Sequence, residues 1–322
     1  MFKKIAIKTG VLTTVFILAV IVSSYVTNRG NTDMSADMGG ATLPRISFMT
    51  EGYEVNSLPG YKSDMTLTSM RDTLTPVTNN QLDMNIAKYD NQIQKVYWQV
   101  YTLNGKKCIQ EGTIKDVQDT VTLNFRNTKI LKEERILKVT LYLDNQNIYF
   151  YTRIKNSADC NYKASLDFAN NFHSAALEGQ GDKIESYLET DTDSDADSST
   201  YQEVTLASTQ AQVLWGSLAP QVSGNVYWEI KECNENYTSL VLKYQVKCAG
   251  DTDYADRLYS VKEFFRIRTG EDAQQYLLDY DRTMNQRFDG KTTALNQKGV
   301  LVGIAPTELE YETNTDGTIV AF

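Results

Sequence analysis

Histidine is almost missing from this chain: His173 is the one copy in 322 residues, and only four cysteines accompany it. Cys108, Cys160, Cys233 and Cys248 form no Cys-x-x-Cys pair and only one histidine accompanies them, so the spacing of a structural zinc site is missing. Phosphate loops and nucleophile elbows are also absent, which removes the sequence-level case for nucleotide hydrolysis or serine-type acyl transfer. Positive charge is in deficit as well. Lys and Arg total 32 against 41 Asp and Glu, a net charge of −9. Nucleic acid binding needs clustered cations that displace counterions, so no nucleic acid partner is expected. The chain is therefore expected to carry no catalytic residues, no cofactor and no metal.

What the chain does have is one long apolar run. Lys3, Lys4 and Lys8 precede Thr9–Val26, which holds no charge. As a helix these residues reach ~27 Å, close to the hydrocarbon thickness of a bilayer. The flanking lysines keep the N-terminus cytoplasmic under the positive-inside rule and place the rest outside. Residues 1–27 are expected to be a cytoplasmic stub and transmembrane anchor. A cleaved signal peptide shares the charged start and apolar middle, but no clear small-x-small site follows; Ser23-Ser24-Tyr25 comes nearest. Residues 28–41 are polar and glycine-bearing and are expected to form a flexible spacer.

From residue 42 to 156 the pattern is short strands. Leu43–Met49 reads as extended, with Pro44 pointing to a sheet edge. Leu82, Met84 and Ile86 alternate, as do Val96, Trp98 and Val100, and Asn104-Gly105 predicts a two-residue hairpin into Cys108. Val121–Phe125, Leu137–Leu143 and Ile148–Ile154 complete a β-sandwich. The arrangement is similar to an immunoglobulin or fibronectin type III module in architecture, without the Cys–Trp–Cys spacing of true immunoglobulin domains.

Residues 160–290 read as an α+β domain. Tyr162, Leu166, Ala169, Phe172 and Ala176 mark one helix stripe. Gly179 and Gly181 end it, and Asp182–Glu185 reads as a capping box opening a short helix through Leu188. Strands follow at Gln202–Ala207, Gln212–Leu218, Val226–Cys233, Ser239–Cys248 and Tyr259–Arg268. The stretch Glu271–Asp281 fits a helix, and Gln275–Tyr280 within it fits a strand. The phrase from Phe172 through Gly181-Asp182 to Tyr187-Leu188 resembles the opening of nuclear-transport-factor-like domains, alongside cystatin-like relatives. That resemblance implies a long helix, a short helix and a curved sheet closing a pocket, with His173 on the pocket-lining helix. It does not imply an activity, because such domains include both enzymes and binding modules. Residues 291–322 read as a β extension, with Thr318–Phe322 after an Asp316-Gly317 turn, and are expected to lead into a further domain of a longer chain. In layout the chain resembles the N-terminal part of uncharacterised single-anchored envelope proteins of Gram-positive anaerobes.

Five groups of residues invite a chemical reading. His173 lacks an evident nucleophile to serve, so it reads as a core or pocket-lining residue. Asp191, Asp193, Asp195 and Asp197 follow a calcium-loop count, but Ala196 stands where glycine is wanted and Gln202 where a bidentate Glu is needed; a solvated loop is expected. Trp98 and Trp228 alternate with aliphatics and read as core, whereas Tyr149, Tyr151, Tyr227 and Glu229 lie on the opposite faces and suggest a partner contact. Glu308 and Glu310 are paired carboxylates that sequence cannot set across a cleft. Cys233 and Cys248 belong to opposite ends of one hairpin and are expected to stay unbridged; a Cys108–Cys160 disulfide is left open. The expected function is a membrane-anchored, extracytoplasmic binding or scaffold protein of the cell envelope, non-catalytic, with an envelope protein as partner. The alternative is an exported ligand receptor or cell-wall-directed enzyme using a pocket in residues 160–290.

Overall fold

The computed structural model describes residues 2–28, 43–126, 128–159, 161–189, 201–250 and 257–287, together with four two-residue strands beyond residue 294. The apolar run folds as helix α1, Phe2–Asn28. Within it Ile7–Thr27 forms 21 consecutive residues long and apolar enough to cross a membrane, none of them buried against protein. Its threonines do not break the apolar surface electrostatically. The hydroxyls of Thr13 and Thr14 donate to the carbonyls of Thr9 and Gly10, each at 2.9 Å, which satisfies them inside the helix.

Two compact units divide the chain: residues 1–38 with 288–322, and residues 39–287. The first holds α1 and two small ladders, Leu295–Asn296 with Gly299–Val300 and Glu312–Thr313 with Val320–Ala321. The second is mainly β. Its strands are β1 (Arg45–Thr50), β2 (Tyr53–Pro59), β3 (Leu74–Val77), β4 (Gln81–Ala87), β5 (Ile93–Thr102), β6 (Cys108–Ile114), β7 (Thr120–Asn124), β8 (Arg135–Leu143) and β9 (Asn147–Asn156). After helix α2 (Tyr162–Leu177) come β10 (Glu203–Thr205), helix α3 (Gln210–Val213), β11 (Pro220–Val222), β12 (Tyr227–Cys233), β13 (Thr238–Cys248), β14 (Leu258–Thr269) and β15 (Gln275–Gln286).

The large sheet runs β10-β15-β14-β13-β12-β2-β1-β4-β7, with β11 added on β13; the smaller runs β3-β9-β8-β5-β6. Facing residues of the two sheets, among them Leu82, Val121, Trp98 and Val139, share one buried cluster, and α2 adds Leu166, Ala169 and Phe172 to the same cluster. One sheet thus crosses the boundary at 156–160 expected between two domains. The crossing is narrow. Parallel strands β2 and β12 share a single pair, Val55 with Trp228.

A side chain supplies what the backbone ladder lacks there. Buried Asn56 accepts from the Ile230 amide at 2.9 Å and donates to the Leu74 carbonyl at 2.9 Å and the Thr75 hydroxyl at 2.8 Å. Its φ of +53° lies in the left-handed region, which Asn tolerates better than most residues. The β1–β2 register shifts at this point, between Ile46 and Phe48, a bulge of β2 that contains Asn56. Other ties across the boundary include Tyr162 with Thr50 (2.7 Å) and Tyr53 with Asp167 (2.7 Å). Burial and the Asp167 carboxylate push the Tyr53 phenol up to about 12.

Several local expectations are corrected. Pro44 does not mark an edge, because β1 lies between β2 and β4 and Pro44 precedes its ladder. The Asn104-Gly105 connection spans the five residues between Thr102 and Cys108. Of its two central residues only Gly105 has positive φ, and the Asn104 side chain accepts from Thr102 and Lys106. Asp182–Leu188 forms two 3-10 turns, Gly181–Lys183 and Glu185–Tyr187, without a side-chain cap. The strand expected at Gln212–Leu218 is instead α3 and its exit turn, because Thr209 and Gln212 close a capping box. The choice at 271–281 resolves to strand β15. Cys233 faces Thr238 and Cys248 faces Pro220, at opposite ends of β13, so no disulfide joins them. Cys108 is an exposed free thiol. Cys160, the acidic loop at 191–199, and Glu308 with Glu310 lie outside the described residues.

Candidate functional site

Period-two patterning places residues 259, 261, 263, 265 and 267 of β14 on one buried face, and the middle one is Glu263. On β15 the same logic buries Tyr280, Arg282 and Met284. Glu263 and Arg282 are register partners, so a carboxylate and a guanidinium face each other across two strands with no exposure at all. Helix α2 lowers His173 onto them. Its Nδ1 lies 2.9 Å from Glu263 Oε1, and the Tyr244 hydroxyl donates to the same oxygen. The Tyr244 ring meets the imidazole edge-on, with centroids 4.8 Å apart. His173 is 6 % exposed and Tyr244 3 %.

Arg282 reaches further. Its Nη1 donates to the Val213 carbonyl at 2.8 Å and its Nη2 to that of Gln212 at 2.6 Å, capping the C-terminal end of α3. Its guanidinium stacks 3.8 Å from the centroid of the Trp215 ring. Trp215 itself sits at φ +66°, where a helix exit ordinarily uses glycine. The Gly216 amide bonds the Ala211 carbonyl and the Trp215 amide that of Gln212, the paired bonds of a Schellman turn. The left-handed strain of about 1–2 kcal/mol is offset by burying the indole on Arg282.

Electrostatics follow from this packing. Burial works against ionising Glu263, yet His173, Arg282 and Tyr244 together hold its carboxyl below the ordinary value. Burial and the Glu263 charge push Tyr244 and Tyr280 well above theirs, with Arg282 opposing. Within this cluster four buried polar atoms make no hydrogen bond: Glu263 Oε2, Tyr280 Oη, Arg282 Nε and Trp215 Nε1. Chemically, a carboxylate-oriented imidazole is the arrangement of a general base. Here its members are enclosed in packed protein, so the cluster works as a polar core that ties α2, β13, β14, β15 and α3 together.

His173, singled out in the sequence, is thus central, while Glu263, Tyr244 and Arg282 were missed. For Glu263 and Arg282 the signal was a charged residue at an inward position of a strand; Tyr244 carried none, an aromatic being ordinary there. Trp98, Trp215 and Trp228 are all buried, which leaves no tryptophan face for stacking. Two expected contact residues are internal. Tyr151 donates to Asp64 at 2.7 Å and accepts from the Met65 amide beneath the loop ahead of β3, and Glu229 pairs with Lys243 at 2.6 Å and Lys231 at 2.8 Å. Tyr227 remains 38 % exposed. Among the described residues no group of His, Cys, Asp and Glu is arranged to hold a metal ion. No family model matches the chain, and no curated protein matches it.

Proposed function

We propose that this chain is a single-pass membrane protein with a cytoplasmic N-terminus, whose bulk is an extracytoplasmic, non-catalytic binding or scaffold module of the cell envelope. The observation that carries the reading is the wholly exposed apolar helix Ile7–Thr27. Transferring so many apolar side chains out of water is strongly favourable, at roughly 25 cal/mol per Å² removed, and a bilayer is the environment that receives a helix of this length. Lys3, Lys4 and Lys8 on its leading side set the orientation. Binding rather than catalysis is supported by the enclosure of His173 and Glu263. Within the body we read residues 42–156 as an immunoglobulin-like sandwich and 160–290 as an α+β module of the nuclear-transport-factor-like kind, joined edge to edge, with an envelope protein as partner.

A second reading, a ligand receptor or cell-wall-directed enzyme using the interior of residues 160–290, draws on the four unbonded polar atoms around Glu263. Carbonate washing of membranes tests the anchor. The full chain should stay with the membranes, and a chain lacking residues 2–28 should appear in the soluble fraction. Release of the full chain by carbonate would contradict the anchor and favour a cleaved signal.

A further inference from the structure

Where β2 and β12 part after their single shared pair, the surface opens into a cleft of about 370 Å³. Glu54 and Ser57 line it from β2, and Asn225, Val226, Tyr227 and Trp228 from the β11–β12 turn and β12. We infer that this cleft is a binding site for a neutral saccharide, an inference that rests on the binding-module reading above. Its volume lies at the lower end of the ~300–1,000 Å³ typical of small-ligand sites, enough for one or two sugar rings.

The lining decides the ligand class. Tyr227 is 38 % exposed, its hydroxyl accepts from the Asn225 amide at 3.3 Å, and hydrogen-bonding groups of both senses surround it: the Ser57 hydroxyl, the remaining capacity of the Asn225 amide and the Glu54 carboxylate. Ser47 donates to one Glu54 oxygen, which fixes the carboxylate while the other oxygen remains an acceptor. An anionic ligand is disfavoured by Glu54 and by the net charge of −9. A cationic ligand would compete with a cation already in place, because the Arg45 guanidinium lies 5.8 Å from the Tyr227 ring centroid and 3.3 Å from the Ser57 hydroxyl. An uncharged polyol meets Glu54, Ser57 and Asn225 with its hydroxyls without a charge conflict, and stacks its C–H face on the side of the Tyr227 ring that Arg45 does not cover.

The test is calorimetric titration of the full chain, held in lipid nanodiscs, with tetrasaccharides of N-acetylglucosamine, glucose and mannose in turn. Saturable binding of at least one is expected, weakened at least tenfold by Tyr227→Ala and by Glu54→Gln. Tyr276→Ala, at another exposed tyrosine, should leave it unchanged. The inference is overturned if no saccharide binds, if Tyr227→Ala leaves affinity intact, or if tetramethylammonium saturates the cleft with the same dependence on Tyr227. Binding is measured on purified protein, so its failure is separate from any failure of membrane orientation.

Discussion

Glu263 stores stability that acid removes. Its carboxyl is held below the ordinary value of 4.5 in the folded state, against burial, by His173, Arg282 and Tyr244. A depressed folded pKa means the unfolded chain binds the proton first as pH falls. The contribution is therefore complete at pH values above 4.5 and is lost as pH drops through the folded value. Urea unfolding at a series of pH values should show the wild type weakening below about pH 4.5 by more than Glu263→Gln does. At neutral pH the variant should be less stable by about 3 kcal/mol, because Arg282 then keeps a buried charge without its partner. Equal pH slopes for the two proteins would contradict this account. The position was legible: Glu263 sits between Val261 and Phe265 on a strand whose alternation is plain. What sequence could not supply was its partners, which come from α2, β13 and β15 and are fixed by register.

Strands β4, β5, β7 and β14 follow from period-two patterning, because each buries one face more than the other, and α2 follows from its apolar stripe; β8, β9, β12 and β13 are read from their apolar runs and include stretches buried on both faces. Elements whose form depends on a side-chain hydrogen bond were not legible in that way. The five-residue turn at Asn104, the capping box at Thr209 and the bulge at Asn56 each hinge on where one polar side chain turns. Asn56 matters most, because it joins β2, β3 and β12 and reaches a residue 174 positions away in sequence. Asn56→Ala should cost about 3 kcal/mol, from lost buried hydrogen bonds and from alanine at positive φ. Asn56→Gly removes the φ penalty alone and should recover about 1 kcal/mol of it. Chemical denaturation of the three proteins measures both steps. If Asn56→Ala unfolds at the wild-type midpoint, the seam does not depend on this residue.

Residues 39–287 are one compact unit, although their sequence reads as a β stretch followed by an α+β stretch. Local periodicity identifies strands but not neighbours, and the β2–β12 pairing that fuses the two halves spans most of the body. Separately expressed 43–157 and 161–287 should each lack a cooperative unfolding transition, since each would expose one flank of the seam and the cleft beside it. A sharp transition in either fragment would restore two independent domains. For the molecule as a whole, the proposed anchoring by Ile7–Thr27 and its orientation would decide what the body can meet. The most direct measurement is labelling by a membrane-impermeant maleimide of Tyr89→Cys, at a position 49 % exposed, in a Cys108→Ser, Cys160→Ser background. Labelling in intact spheroplasts is the result predicted for an extracytoplasmic body; labelling only after lysis would contradict it.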